Sequence, residues 1–505
     1  MSARRGRRLS PRSSRPGVPR DPRREVRTVE KEFVKAITPR SEDFSQWYVD
    51  VVLKAELADY APVKGCIVFR PYGYTIWEYI QAELDRRFKE TGHVNAYFPL
   101  FVPESFFRRE AEHVAGFSPQ VAWVTRGGDE DLAERLAVRP TSETVIGVMY
   151  AKWIQSYRDL PVLINQWCNV VRWEKATRPF IRTTEFLWQE GHTCHRTAAE
   201  AEEEALRMLE VYRSFVEDYL SIPVIPGEKS AGERFAGAER TYTIEGLMGD
   251  RRALQCATSH FLGQNFARSF DIKFLDVDGQ LKYVWQTSWG ISTRIVGALI
   301  MVHGDDRGLV LPPTVAPHQV VVVPIVGRDS ERVLAASREV TDRLRGRFRV
   351  KLDDRPEFSP GWKFNDWEMR GVPLRLEIGP RDLAAEQVTA ARRDTGERTA
   401  LPLSRLEEGV AELLDEVHRG LYRRALEFRQ AHTHEAGDLA SLRAIMEGPR
   451  GFIRAHWCEK PGCEERIKEE TGATIRCLPF GEQGEGRCVL CGEPARQVVY
   501  LARAY

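Results

Sequence analysis

The sequence predicts an α+β protein whose main unit is a large mixed or antiparallel sheet, followed by a small α/β unit and a cysteine-bearing C-terminal unit. Three observations carry this. From about Glu30 onward, strong amphipathic helices are separated by short β-branched or aromatic segments that read as strands. The stretch LPPTVAPHQ then punctuates the chain with three prolines, and strand-like and helix-like segments alternate beyond it. Within the last fifty residues four of the cysteines form two close pairs.

In chain order, residues 1–26 are dominated by Arg, Ser, Pro and Gly, cannot bury a core, and are expected to be a disordered extension. They lack the apolar run of a secretory signal, so a cytoplasmic location is expected. Gly73 to Thr91 reads as a helix, with Ile76, Tyr79, Ile80, Leu84 and Phe88 on one face and Gly92 as its stop. The run VNAYFPLFVP follows as a strand, and Ala198 to Leu220 is a second helix. Beyond the prolines, VVVVPIV is a buried strand, Ser330 to Arg347 a helix, FRVKL and VPLRLEIG strands, and Glu407 to Gln430 a helix. A third unit begins near His432. The expected domains are therefore 27–314, 315–425 and 426–505.

The gross numbers agree. At 505 residues, domains of about 100 to 200 residues give two to four units. With 42% hydrophobic and 29% charged residues the composition is globular, and no run reaches the roughly 18 apolar residues of a membrane span. A net charge of +1 leaves any nucleic-acid partner to local basic patches.

Cys458-x4-Cys463 and Cys488-x2-Cys491 have the spacing of two zinc knuckles, with KPGC and CGEP supplying tight turns. Four thiolates would leave Zn²⁺ no open position, so the metal is expected to fold this unit and not to catalyse. His456 or Cys477 replacing one ligand is the lesser alternative.

The chemistry concentrates between Arg139 and Arg294, in RPTSET, VVRWEKATRPFIRTTEFLWQEGH, QCATSHFLGQNF and QTSWGISTR. These segments cluster aromatics beside charges, the vocabulary of a site holding a nucleotide and an amino acid together. Arg172 and Glu174, two apart, are expected on one face of a strand. A guanidinium forks onto phosphate and carboxylate oxygens, and a carboxylate accepts from an exocyclic amine. Arg182-x-x-x-Phe186 adds a second cation and a flat apolar surface, and Arg294 stands before the apolar helix IVGALIMV.

Arg-x-Glu, a loop, Arg-x-x-x-Phe and a downstream Arg before a helix resemble motifs 2 and 3 of class II aminoacyl-tRNA synthetases. GHVNAYFP resembles motif 1, with Pro99 as its proline. RPTSET, EFLWQEGHT, TSHFLGQNF, TSWG, PGWKFNDWE and GVPLRLEIGPRD resemble the prolyl-tRNA synthetase family in its archaeal and eukaryote-like form, over roughly residues 27 to 505. The resemblance implies a class II antiparallel-sheet catalytic domain, an anticodon-binding α/β domain and a zinc-binding C-terminal domain. It implies an aminoacyl-tRNA ligase that makes prolyl-adenylate from L-proline and Mg²⁺-ATP and passes prolyl to tRNA(Pro), as a homodimer without a membrane partner.

The implied roles are residue by residue. Arg172 and Arg294 are similar to the catalytic arginines. Arg172, Glu174, Arg182, Thr183, Phe186, Gln255, Thr258, Ser292 and Arg294 match the ATP contacts. Thr141, Glu143, Arg172, Trp188, His192 and His260 match the proline contacts. Lys363, Arg375, Glu377 and Arg381 are candidates for reading the anticodon, with a solvated face as the alternative for each. Ala257 stands where relatives are expected to have glycine, which puts the placement of Thr258 in doubt. Motifs 2 and 3 lie only about a hundred residues apart, so no inserted editing domain is expected. The chain ends in Tyr505, whose counterpart in this form of the family tucks toward the active site. The rival readings are a threonyl- or seryl-like synthetase, or a synthetase-like tRNA-binding protein that has lost catalysis.

Overall fold

The computed structural model describes residues 37–111, 121–326 and 330–505, so the arginine-rich extension lies outside the described residues. Helix α1, Phe44–Lys54, begins at Asp43, whose carboxylate accepts from the N–H groups of Ser45 and Gln46. Helix α2, Pro71–Glu90, opens on proline and stops at Gly92, which takes φ +89. Of the expected stripe Ile76, Ile80, Leu84 and Phe88 are buried, Tyr79 is only half-buried, and Trp77 joins the buried face. The expected strand VNAYFPLFVP forms only in part. Val94–Asn95 (β1) and Phe101–Pro103 are extended in different sheets, because Phe98 N–H turns aside to Gln166 Oε1, 2.5 Å away.

A 12-stranded sheet organises the molecule. Its further strands are β2 (Val162–Val171), β3 (Glu185–His195), β4 (Val224–Glu228), β5 (Arg240–Leu247), β6 (Ala253–Gly263) and β7 (Trp285–Ser292). In space they run β4-β5-β6-β7-β3-β2-β1, antiparallel except for β1 on β2. Helix α3, Glu143–Trp153, leads into β2. Helix α4, Ala198–Ser214, starts with a capping box between Thr197 and Glu200 and packs Ala205, Met208 and Tyr212 into the core. It ends earlier than expected, in one wide π-turn over Phe215–Tyr219 that keeps Phe215 and Val216 buried. Trp289 fits beneath because Gly191 has no side chain; a Cβ there would lie 2.1 Å from the indole. Helix α5, Arg294–His303, follows β7 directly.

The second unit is a five-stranded sheet ordered β9-β8-β10-β11-β12, from β8 (Val320–Pro324), β9 (Val350–Leu352), β10 (Leu374–Ile378), β11 (Gln387–Arg392) and β12 (Arg398–Pro402). Helices α6 (Ser330–Arg345), α7 (Pro360–Met369) and α8 (Leu406–Ala431) accompany it. Every residue of β8 is buried, as its unbroken apolar run requires. The boundary expected at 425 falls inside α8, which runs unbroken to Ala431.

The third unit is not a separate body. Strands β13 (Thr433–Ala436), β14 (Phe452–Trp457), β15 (Thr474–Pro479), β16 (Gln483–Arg487) and β17 (Pro494–Ala502), with helix α9 (Pro461–Thr471), extend the main sheet. The junction is β15 on β4, where Leu478 pairs with Glu228 and Pro479 with Gly227. Gly227 is required there, since a Cβ would sit 2.4 Å from Leu478 O. Among the described residues no helix is long and apolar enough to cross a membrane.

Candidate active site

Cross-strand register builds the site. On β7, Ser288, Gly290 and Ser292 face His192, Glu190 and Trp188 of β3; on the other side Ser288 pairs with His260 and Gly290 with Thr258 of β6. Alternation therefore puts these side chains on one face. A cleft of about 350 Å³ opens over this face. Its lining includes Thr141, Glu143, Arg172, Phe186, Trp188, His192, Gln255, Thr258, His260, Ser292 and Arg294. Three further predicted residues do not line it. Glu174 and Arg182 pair with each other at 3.3 Å on the loop above, and the Thr183 hydroxyl is spent on Glu185 O at 2.6 Å.

Arg172 and Glu174 are not on a strand as expected, because β2 ends at Val171. The turn lets Arg172 fold back into the cleft while Glu174 faces the loop. Arg172 Nε donates to Pro140 O at 3.0 Å, and its guanidinium lies 5.5 and 5.4 Å from the rings of Phe186 and Trp188. Arg294 is the first residue of α5 and not the end of the strand; its Nε donates to Ile181 O at 3.2 Å. Burial lowers the pKa of both arginines, and for Arg294 the neighbouring cations Arg172 and Arg182 add to this. Two guanidiniums forced together in this way favour a bound anion.

The opposite end is carboxylate-rich. Glu143 opens α3 and accepts from the Thr141 hydroxyl. Glu190, a lining residue outside the expected set, accepts from Ser142 Oγ, from Gln166 Nε2 at 2.9 Å and from the Cys168 thiol at 3.3 Å. It also meets His192 Nε2 at 3.1 Å. Burial opposes charge on both, but their contact, helped for His192 by nearby Glu143, raises the His192 pKa, and the same contact with the bonds from Ser142 and Gln166 lowers that of Glu190. His260 behaves oppositely: burial, with His192 beside it, pushes it down to about 3, so it is neutral and bonds Thr241 Oγ1 at 3.0 Å. Trp188, Glu190 and His192 are two apart on one strand, a spacing that marks Glu190 as well. Glu233 and Phe235, also in the lining, stand on an irregular segment and gave no such signal.

Arg139 has a different place. It is fully buried and ties Phe98 O (2.7 Å) to Asn169 O (2.8 Å), clamping RPTSET under the cleft. Ala257 is extended within β6 beside a bulge, with no turn to strain, so the alanine leaves Thr258 in register with Gly290. Tyr505 is fastened: its hydroxyl donates to Asp250 at 2.7 Å, its N–H to Ala253 O, and Arg178 and Arg252 lie over its ring.

In the second unit Lys363 and Glu377 are buried. Lys363 Nζ donates to Asp353 O at 3.0 Å, and Glu377 accepts from Arg375 and Arg398. Neither has the solvated position considered for it; Arg381 is exposed. In the third unit the sulfurs of Cys458, Cys463, Cys488 and Cys491 lie within 4.8 Å of one another, with Cys458 3.5 Å from Cys463 and 3.8 Å from Cys491. A tetrahedron with bonds of about 2.3 Å has edges of about 3.8 Å, so the donor set fits Zn²⁺. Neither His456 nor Cys477 belongs to the cluster.

Between β3 and β7 the chain is fully described and is used up by α4, the π-turn, β4 to β6, a short helix (Asn265–Phe270) and a two-stranded hairpin (Lys273–Leu275 with Leu281–Tyr283), leaving no inserted domain. The sequence matches three family models: "tRNA synthetase class II core domain (G, H, P, S and T)" over residues 123–303, "Anticodon binding domain" over 319–413 and "Prolyl-tRNA synthetase, C-terminal" over 441–505. It is 59% identical over 478 residues to the proline--tRNA ligase of Natranaerobius thermophilus, covering 94% of this chain and 99% of the relative. To that of Symbiobacterium thermophilum it is 58% identical over 486 residues, with the same coverage. With the proline--tRNA ligase 2 of Clostridioides difficile identity is 54% over 477 residues, 94% of this chain and 99% of the relative. A cleft with arginines at one end and carboxylates at the other, on a class II core continuous with this C-terminal unit, completes the case: the chain belongs to the prolyl-tRNA synthetases.

Proposed function

We infer that this chain is a proline--tRNA ligase that activates L-proline with Mg²⁺-ATP and passes prolyl to the 3′ end of tRNA(Pro). The observation that carries the reading is the polarity of one cleft, with Arg172 and Arg294 at one end and Glu143, Glu190 and His192 at the other.

Proline is a small apolar ring with a secondary ammonium and a carboxylate. Glu143 and the Thr141 hydroxyl receive the ammonium, Trp188 and His260 flank the ring, and His192 fixes Glu190 behind it. Arg172 sits where carboxylate and α-phosphate meet. Phe186 stacks on adenine, Arg294 covers its other face, and Gln255, Thr258 and Ser292 take ribose and phosphate. Glu174 and Arg182, paired with each other, form a loop ready to close on the nucleotide. Thr183 supports that loop from below.

The proline carboxylate oxygen forms a bond to the α-phosphorus while the bond to pyrophosphate breaks. Arg172 and Arg294 stabilise the charge that spreads over the phosphoryl oxygens, and positioning supplies the rest. The terminal tRNA hydroxyl then attacks the acyl carbon and AMP leaves. The absence of an inserted domain supports a chain that does not itself hydrolyse alanyl-tRNA(Pro).

Zn²⁺ held by Cys458, Cys463, Cys488 and Cys491 is structural. We place 27–314, 315–425 and 426–505 as catalytic, anticodon and zinc-binding units, the last two sharing α8. Arg381 is the better placed anticodon candidate, while Lys363, Glu377 and Arg375, whose guanidinium is bonded to Glu377 and Glu368, shape the surface from within. Exposed Val94 and Tyr97 beside edge strand β1 support a homodimer through motif 1. Nine unpaired cysteines fit the reducing cytoplasm. Charging of a tRNA(Pro) transcript with labelled proline, and not with threonine or serine, tests the reading; a chain that binds the transcript without charging it would be the silent relative instead.

A further inference from the structure

The segment Lys229–Glu239 between β4 and β5 supplies two walls of the cleft, Glu233 and Phe235. Phe235 stacks on His260, with ring centroids 4.5 Å apart and planes at 28°. Its N–H donates to Thr241 Oγ1 at 3.1 Å, the same hydroxyl that meets His260 Nδ1. The segment has no regular secondary structure, so its place depends on what its start is fastened to.

It is fastened to the C-terminal unit. Lys229 Nζ donates to Arg476 O at 2.7 Å and to Glu245 Oε1 at 2.8 Å. Arg476 forks onto the same Glu245 carboxylate at 3.1 and 3.3 Å and reaches within 3.9 Å of Glu233. The Ser230 hydroxyl donates to Glu464 on α9. Lys229, Ser230, Glu245 and Arg476 are all buried. Glu245 stands in register with Gln255, on the cleft strand β6. Apolar packing alone would dock the unit. Two cations desolvated on one carboxylate fix where it docks, the role for which buried ion networks are best attested.

We propose that Arg476 and Glu464 are positioning residues, through which the C-terminal unit sets the Lys229–Glu239 segment and, by way of Phe235, the orientation of His260 at the amino-acid end of the cleft. The inference rests on the ligase reading above. It assigns the C-terminal unit a part in amino-acid recognition exerted without touching substrate.

Proline-dependent ATP–pyrophosphate exchange by the full chain, with proline and ATP varied separately, tests it. Arg476→Met should raise KM for proline between about ten- and a hundred-fold, the size of a small misplacement of binding groups, with KM for ATP and kcat changed less than about two-fold. Arg476→Lys should recover most of the loss. Glu464→Ala, outside the ion network, should shift proline KM in the same direction, and carries the test if Arg476→Met fails to fold. In a Phe235→Ala background, Arg476→Met should add less than about two-fold, because the wall it positions is gone. An unchanged proline KM, a parallel rise in both KM values, or full additivity with Phe235→Ala would overturn the inference while wild-type exchange leaves the ligase reading standing. A wild-type chain without proline-dependent exchange would overturn both.

Discussion

The two ends of the cleft are built on opposite plans. At the carboxylate end, polar groups are committed to one another: Glu190 is held by Ser142, Gln166, Cys168 and His192, and Glu143 by Thr141. At the arginine end, Arg172 and Arg294 each keep a guanidinium tethered by one Nε bond to a carbonyl, with no ion pair to either among the described residues. The contrast separates two tasks. A small amino acid offers little surface, so its pocket must be rigid before it arrives. A triphosphate brings charge enough to complete a site left electropositive, so the cost of crowding two cations is offset on binding.

The contrast can be broken from either side. Arg172→Ala should have the largest effect, lowering exchange on the order of 10³-fold through kcat, since it removes charge stabilisation made in the transition state. Glu143→Gln should act on recognition, raising proline KM on the order of 100-fold with ATP KM little changed, as expected when a charged group loses its buried partner. A mutant at either end that moved both KM values equally would show that the two plans are not separate.

The C-terminal cluster comes next in size. Cys458→Ser should lower metal content below one zinc per chain and cost several kcal/mol of stability, read as a fall in melting temperature. Cobalt substitution should give the intense visible bands of tetrahedral thiolate coordination; octahedral-type weak bands would remove the four-cysteine assignment.

The smallest effects are in the histidines, and pH separates them. The His192 pKa is raised, so its pair with Glu190 contributes fully below the unfolded value of about 6.5 and fades as pH rises through the raised value. His260 is depressed to about 3, so its contribution is present above about 6.5 and is lost as pH falls toward 3. Imidazole NMR titration should find one residue titrating above 6.5 and another still neutral at pH 4; a single shared midpoint would contradict the division.

How much of this could be read in advance follows from the range of the interactions. Trp188 and His192 were legible through the resemblance carried by EFLWQEGHT, and strand alternation between them would have marked Glu190 as well. Helices α2, α4 and α8 could be read from their stripes, although the π-turn after Ser214 has no periodic signal. Arg172 was legible as chemistry but not as geometry, because a strand that ends three residues short of Glu174 sends that residue out of the cleft. The four cysteines were legible because metal spacing is local. The docking of the third unit was not: Leu478 on Glu228, and Arg476 on Glu245, join residues more than two hundred positions apart, and no pattern in either segment names the other. Lys363 and Glu377 were read by their functional groups alone, and burial with Asp353, Arg375 and Arg398 is a tertiary fact.

A prolyl-tRNA synthetase requires one cleft that activates one amino acid. ATP–pyrophosphate exchange by the wild-type chain, run in parallel with proline, threonine and serine, measures that directly. Exchange with proline and background with the other two is the expected result; exchange driven by threonine or serine, or none with any of the three, would overturn the ligase assignment.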